Sequence, residues 1–283
     1  MAETNDIVYD GNCHCGRYRF RVTVPEITSA ISCSCSLCEK KGYLWLTLED
    51  GAFEVVRDDG HLAAYQSLTL EDKFCNYCGT GIIGEHRTGP SGGKLLLNIR
   101  AIREPYVNPF MLEVAATTVM EAEEERKAVE PLPEAGGGRP AQHTFSCHCG
   151  KVRAALLDPI EEEELKEDNC STCMAYIGVY PTKDQVRIYG ADDTFEYRSG
   201  RKFGGSTFCR TCGVHVFGNI YGPPISIFDK LPPERRELAL GVYHKNMKLK
   251  PLNVRTLDNL DLASLRPLIK REDEGTDGYV LDS

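Results

Sequence analysis

Cys13-His14-Cys15-Gly16 returns as Cys147-His148-Cys149-Gly150, and Phe74-Cys75-Asn76-Tyr77-Cys78-Gly79 returns as Phe208-Cys209-Arg210-Thr211-Cys212-Gly213. Both recurrences fall 134 residues later. Between them, Cys35 and Cys38 recur as Cys170 and Cys173 at an offset of 135. Farther along, Leu97-Asn98-Ile99-Arg100-Ala101-Ile102 returns as Leu252-Asn253-Val254-Arg255-Thr256-Leu257, now 155 residues on. The second copy therefore carries an insertion, and Tyr221 to Lys250, with Pro223-Pro224 and Pro232-Pro233, is its natural place. A period this long, present twice, reads as a duplicated domain rather than a solenoid.

The expected layout is a first domain over 1–118, a linker over 119–142, a second domain over 143–270 and an acidic tail over 271–283. Glu121 to Lys127 is dense in charge, and Pro131 to Pro140 holds Gly136-Gly137-Gly138 among three prolines. Such composition buries too little apolar surface to order itself. Inside each copy most segments read as strands. Tyr18 to Val24 alternates Tyr-Arg-Phe-Arg-Val-Thr-Val, and Leu44–Leu48, Leu95–Ile99, Gln185–Tyr189 and Val214–Ile220 behave likewise. Helix is expected only over Glu161–Glu167, Pro233–Leu240 and Asp261–Leu268. The predicted fold is mainly β: two similar domains in tandem, with few short helices.

The 283 residues are 41% hydrophobic, enough for a core, and carry 33 basic against 42 acidic side chains, a net charge of −9. That sign argues against a general nucleic-acid or membrane-surface binder. No apolar run reaches a membrane span's length, and the first residues are neither basic nor apolar, so a cytoplasmic location is expected. Thirteen cysteines, an odd number, cannot all pair within one chain, and in a reducing compartment clustered cysteines more often hold metal.

The spacing suits zinc. A strand turns residues i and i+2 to one face, so Cys-x-Cys offers two thiolates, and Cys-x-x-Cys-Gly offers two more from a tight turn. The simplest division is a four-sulfur site from Cys13, Cys15, Cys75 and Cys78, repeated as Cys147, Cys149, Cys209 and Cys212. These are structural zinc sites. Cys33, Cys35 and Cys38 remain. Three sulfurs on one short loop can hold a zinc with an open fourth position, the mark of a working site. The competing reading brings a fourth protein ligand from elsewhere and makes the site structural. His61 and His86 are the candidates for that ligand, though neither has ligand-like spacing. In the second copy Asp168 stands where Cys33 does, so Asp168, Cys170 and Cys173 form either a mixed fourth site or a degenerate one. His14 and His148 sit between two ligands and face the other side of their strands. His215 reads as structural.

The order Gly-x-Cys-His-Cys-Gly, Cys-x-Cys-x-x-Cys and Phe-Cys-x-x-Cys-Gly resembles the family of glutathione-dependent formaldehyde-activating enzymes and centromere protein V. Gly11–Gly16, Cys33–Cys38 and Phe74–Gly79 carry the likeness in the first copy. Cys147–Gly150, Phe208–Gly213 and Asn253–Asp258 carry it in the second. The resemblance implies twisted antiparallel sheets, a structural zinc at the four-sulfur site and a substrate-facing zinc at Cys33, Cys35 and Cys38. It implies carbon–sulfur lyase chemistry, the reversible joining of a glutathione thiol to an aldehyde. Two features depart from it: the chain is doubled, and its second copy lacks the first sulfur of the triad.

The expected function is thus a zinc-dependent carbon–sulfur lyase acting on a glutathione adduct or related small thiol or aldehyde. Cys33, Cys35 and Cys38 are the catalytic centre, and Lys40, Lys41 and Arg100 are candidates to attract substrate carboxylates. Tyr43 and Trp45 line the pocket or belong to the core. The alternative is a non-catalytic, zinc-stabilised binding or scaffold protein. A zinc sulfoxide reductase would need a free low-pKa cysteine, and every cysteine here falls in a cluster.

Overall fold

The computed structural model describes residues 6–87, 91–117, 132, 139–168, 175–259, 261–273, 279 and 281. Its first half contains β1 (Ile7–Asn12), β2 (Tyr18–Val24), β3 (Ser29–Cys33), α1 (Ser36–Lys41), β4 (Trp45–Thr47), β5 (Phe53–Asp58), β6 (Leu62–Gln66), β7 (Leu70–Cys75), β8 (Gly81–His86), β9 (Leu95–Asn98), β10 (Ile102–Glu104) and β11 (Glu113–Thr117). Its second half contains β12 (His143–Ser146), β13 (Arg153–Leu156), β14 (Leu165–Asp168), β15 (Ile177–Val179), β16 (Val186–Tyr189), β17 (Thr194–Tyr197), β18 (Gly204–Cys209), β19 (His215–Ile220), α2 (Pro233–Asn246), β20 (Leu252–Asn253), α3 (Leu262–Leu265) and β21 (Ile269–Glu272).

The same strand order occurs twice. One seven-stranded sheet runs β11-β3-β4-β9-β8-β7-β6 and the other β21-β14-β15-β20-β19-β18-β17. The smaller sheets, β10-β1-β2-β5 and β12-β13-β16, also correspond. Here Phe145 pairs with Leu257 as an isolated bridge where the first half has β10 beside β1. Trp45 pairs with Asn98 as Gly178 pairs with Asn253, and Leu70 pairs with His86 as Gly204 pairs with Ile220. These registers align the paired strands of the two halves.

Alternation dictates the layers. In β2, Tyr18, Phe20, Val22 and Val24 turn inward while Arg21 and Thr23 face water. One apolar core fills the interior behind β1, β2 and β9. The other joins the second half's Phe145, Leu156, Val179 and Leu252 to Cys35, Leu37, Cys38 and Trp45 of the first, so the two halves share a core.

Three expectations are corrected. Glu161–Glu167 is not a helix: a 3-10 turn at Ile160–Glu162 gives way to β14, which is paired on both sides by β15 and β21. Sheet pairing there overrides the helix preference of glutamate. The acidic tail expected over 271–283 starts inside a strand, because Arg271 and Glu272 belong to β21, and Tyr279 donates its hydroxyl to the His14 carbonyl at 2.7 Å. Pro233–Leu240 does start a helix, but α2 continues to Asn246. The linker expected over 119–142 falls mostly outside the described residues.

Candidate metal centres and the cavity between the halves

Each Cys-x-Cys leaves its β-hairpin at a tight turn. Gly16 donates to the Cys13 carbonyl at 2.8 Å, and Gly150 to the Cys147 carbonyl at 3.1 Å. Each Cys-x-x-Cys-Gly turns the same way, closed by Gly79 on Cys75 at 2.8 Å and by Gly213 on Cys209 at 2.9 Å. Both of these glycines hold positive φ, +78° and +67°, which a side chain would resist. The turns bring Cys13, Cys15, Cys75 and Cys78 together, with all four sulfurs within 4.8 Å of one another, and do the same for Cys147, Cys149, Cys209 and Cys212.

Neighbouring sulfurs stand 3.4 Å apart for Cys13 and Cys15, 3.7 Å for Cys15 and Cys75, and 3.5 Å for both Cys147–Cys149 and Cys149–Cys209. A disulfide requires about 2.05 Å, whereas a zinc–sulfur bond of about 2.3 Å gives a tetrahedral edge near 3.8 Å. The spacing therefore fits zinc. Tyr18 and Val152, at matching positions, each donate a backbone N–H at 3.3 Å to the first sulfur of their group. Such bonds suit a thiolate.

The third group differs from expectation. Cys33 ends β3, Cys35 is the N-cap of α1, and Cys38 lies within α1. His86, the last residue of β8, completes the set, its Nε2 3.7 Å from Cys38 Sγ. The open fourth position expected at the triad is corrected: four protein donors converge there. The reason is long-range. The β7–β8 hairpin sets His86 opposite Leu70, a core residue, and so carries the imidazole inward under the loop from β3 to α1. All four donors are buried, with exposures of 4%, 0%, 1% and 2% for Cys33, Cys35, Cys38 and His86. The Trp45 indole donates to Cys38 Sγ at 3.2 Å and the Cys35 amide to Cys33 Sγ at 3.4 Å. Packed together, the thiols divide: hydrogen bonds from Cys35 and Cys38 lower Cys33, while the bond to Cys33 pushes Cys35 up to about 12. Crowded thiols of this kind are readily ionised by a cation.

His61, the other candidate ligand, binds Arg17 at 2.8 Å and Asn76 at 3.0 Å and belongs to none of the donor groups among the described residues. Asp168 ends β14, and Cys170 and Cys173 lie outside the described residues. Repeat comparison holds the signal that would have found His86. Ile220 occupies its place in the second half, where Asp168 occupies that of Cys33, so the two donors are lost together.

A cavity of about 90 Å³ lies between the halves, lined by matched residues: Tyr43 and Tyr176, Asn98 and Asn253, Gly79 and Gly213. All three expected substrate residues, Lys40, Lys41 and Arg100, reach it. Two are already engaged. Lys40 donates to the carbonyls of Ser146 at 2.9 Å and Thr256 at 3.3 Å and stands 3.7 Å from Asp258. Lys41 meets the buried Asp72 at 2.5 Å, and Tyr43 donates to the same carboxylate at 2.6 Å. Trp45 lies in the core, its ring 4.4 Å from that of Tyr43. His14 and His148, expected to face away from the metal, do so as a matched pair: His14 Nδ1 meets the Tyr197 hydroxyl and His148 Nδ1 the Tyr65 hydroxyl, each at 2.8 Å. His215 is sandwiched between Tyr176 and Phe208.

Residues 8–109 match the model of the family described as glutathione-dependent formaldehyde-activating enzyme. The first half of this chain is therefore similar to that family. A Halomonas elongata protein, named as a candidate glutathione-dependent formaldehyde-activating enzyme, is 34% identical over 86 residues. That match covers 27% of this chain and 55% of the relative, so the chain spans about half the length of the curated protein it matches. A crystal structure of a Rhodobacter sphaeroides protein aligns over 46% of this chain and 99% of its own, at 20% identity and a TM-score of 0.33, too distant to bear on the site. Among the described residues no helix is long and apolar enough to cross a membrane.

Proposed function

We propose that this protein is a zinc-dependent carbon–sulfur lyase that joins a glutathione-type thiol to an aldehyde, and separates them again, at the Cys33–Cys35–Cys38–His86 centre. The observation that carries the reading is the asymmetry of the two halves. The second half builds the same seven-stranded sheet with Asp168 in place of Cys33 and Ile220 in place of His86. A full quartet is thus not required to build the sheet, and its retention in one half points to chemistry. The relative's name supports catalysis of this kind.

In the addition, the thiol sulfur bonds to the aldehyde carbon, the carbon–oxygen double bond becomes single, and the thiol proton ends on that oxygen; elimination reverses each change. A zinc ion in this donor set would lower the pKa of a thiol and polarise an aldehyde oxygen. The protein's part is to hold three sulfurs firmly and the fourth donor loosely. Cys38 is tied by Trp45, and Cys33 by the Cys35 amide. His86 Nδ1 is buried with no hydrogen-bond partner among the described residues. Metal-binding histidines ordinarily anchor that nitrogen to fix the ring and raise its basicity. His86 is therefore the donor most easily displaced by an incoming thiolate. The clustered free thiols suit a reducing compartment such as the cytoplasm.

Purified protein should form the glutathione–formaldehyde adduct, and Cys35→Ala should lose this activity while both four-sulfur sites keep their metal. Full activity in a folded Cys35→Ala protein would refute the assignment. The burial of all four donors favours a second reading, a purely structural centre in a scaffold protein. His86→Ala separates the two: a lyase keeps turnover with an altered KM for thiol, whereas a scaffold loses stability and never shows turnover.

A further inference from the structure

We infer that Arg100 anchors a carboxylate-binding site in the cavity between the halves. This inference stands apart from the lyase reading, since a carboxylate can bind there with or without turnover. The cavity lining includes Lys40, Lys41, Arg100 and Arg103, and among the described residues no carboxylate lines it. Lys40 and Lys41 are held by Asp258 and Asp72, and Arg103 lies 5.0 Å over the ring of Tyr279. Arg100 is only 6% exposed, yet its Nε and Nη1 are buried with no hydrogen-bond partner among the described residues. A guanidinium left so is costly unless something completes it.

The second half shows what completes it. Arg100 and Arg255 follow matched asparagines, and each donates its backbone N–H to the asparagine Oδ1, at 3.3 Å and 3.2 Å. Arg255 has its partners: its Nη2 donates to Glu167 at 3.1 Å and its Nε to the Ala175 carbonyl at 2.6 Å. The register of β3 against β4 and of β14 against β15 places Ser32 where Glu167 stands. The first half therefore keeps the arginine and has no carboxylate at the matching position. Arg100 is among the residues lining a cavity well above the roughly 10–15 Å³ that one water needs. An outside carboxylate can offer Arg100 the acceptor oxygen that Glu167 offers Arg255 from within.

Calorimetric titration of the metal-loaded full chain with acetate, with reduced glutathione and with inorganic phosphate tests the site. The wild type should bind a carboxylate, and both Arg100→Gln and Ser32→Glu should weaken it by about tenfold or more, the latter by installing the missing internal partner. Acetate and glutathione binding alike would support the site and assign it to small free acids; glutathione binding alone would support it and assign it to a peptide-borne carboxylate. No carboxylate uptake by the wild type, tighter binding of phosphate than of either acid, or undiminished affinity in Ser32→Glu would overturn it. Metal content and thermal unfolding accompany each variant, and Ser32→Glu decides should Arg100→Gln not fold.

Discussion

The ring of Phe208 lies so close over Gly79 that a methyl group there would stand 2.3 Å from its Cε1. Phe74 returns the contact across Gly213, where the distance would be 2.6 Å. Each half thus pins the cysteine turn of the other beneath an aromatic ring. Gly79→Ala and Gly213→Ala should each destabilise the protein by about 1–3 kcal/mol, since steric clash adds to positive φ. Gly51→Ala provides the comparison: φ is +81° but nothing lies within 4 Å, so only the backbone cost of about 1 kcal/mol applies. Urea unfolding midpoints rank the three.

Metal content should reach three zinc ions per chain, one for each four-donor group. A fourth would require Asp168, Cys170 and Cys173. Each four-sulfur ion contributes about 10 kcal/mol or more of folding free energy, so Cys13→Ser or Cys209→Ser should leave its half unable to fold at ordinary temperature. Elemental analysis with circular dichroism before and after chelation measures both effects.

Lys41 and Asp72 form an ion pair whose side chains are 4% and 0% exposed. Removing one charge strands the other, so Lys41→Met should cost about 3–5 kcal/mol. Adding Asp72→Asn should recover much of that loss, because the amide is neutral and its oxygen still accepts from Tyr43. A double-mutant cycle in denaturant gives the coupling directly.

Burial lowers the pKa of His215 from 6.5 to about 4. Above pH 6.5 neither the folded nor the unfolded state binds a proton there. Between pH 6.5 and 4 the unfolded chain takes one up and the folded chain does not. Stability therefore falls as pH falls through that window, by up to about 3 kcal/mol. His215→Gln should flatten this part of the curve, measured as urea midpoints from pH 7 to 4.5.

Much of this architecture was readable in the cysteine spacing. Cys-x-Cys and Cys-x-x-Cys-Gly are local, so their geometry follows from two turns, although the first lies just past β1 and β12 rather than within a strand. β2 was legible over its full length because alternation is also local. His86 was not, because it meets Cys38 only through the hairpin register that sets it against Leu70. The commitments of Lys40 and Lys41 were hidden for the same reason, their partners Asp258 and Asp72 being distant in sequence. Charge near a cysteine loop suggested substrate attraction for three residues. The fold spends two of those cations on its own carboxylates and leaves Arg100.

The reciprocal ring-over-glycine contacts make the chain hard to divide. A protease cutting between residues 117 and 139 would sever the connection but not the association, because each fragment's turn is roofed by its opposite number and one apolar interior runs through both. Nicked protein should elute at the size of the intact chain, and either fragment produced alone should be insoluble until mixed with the other.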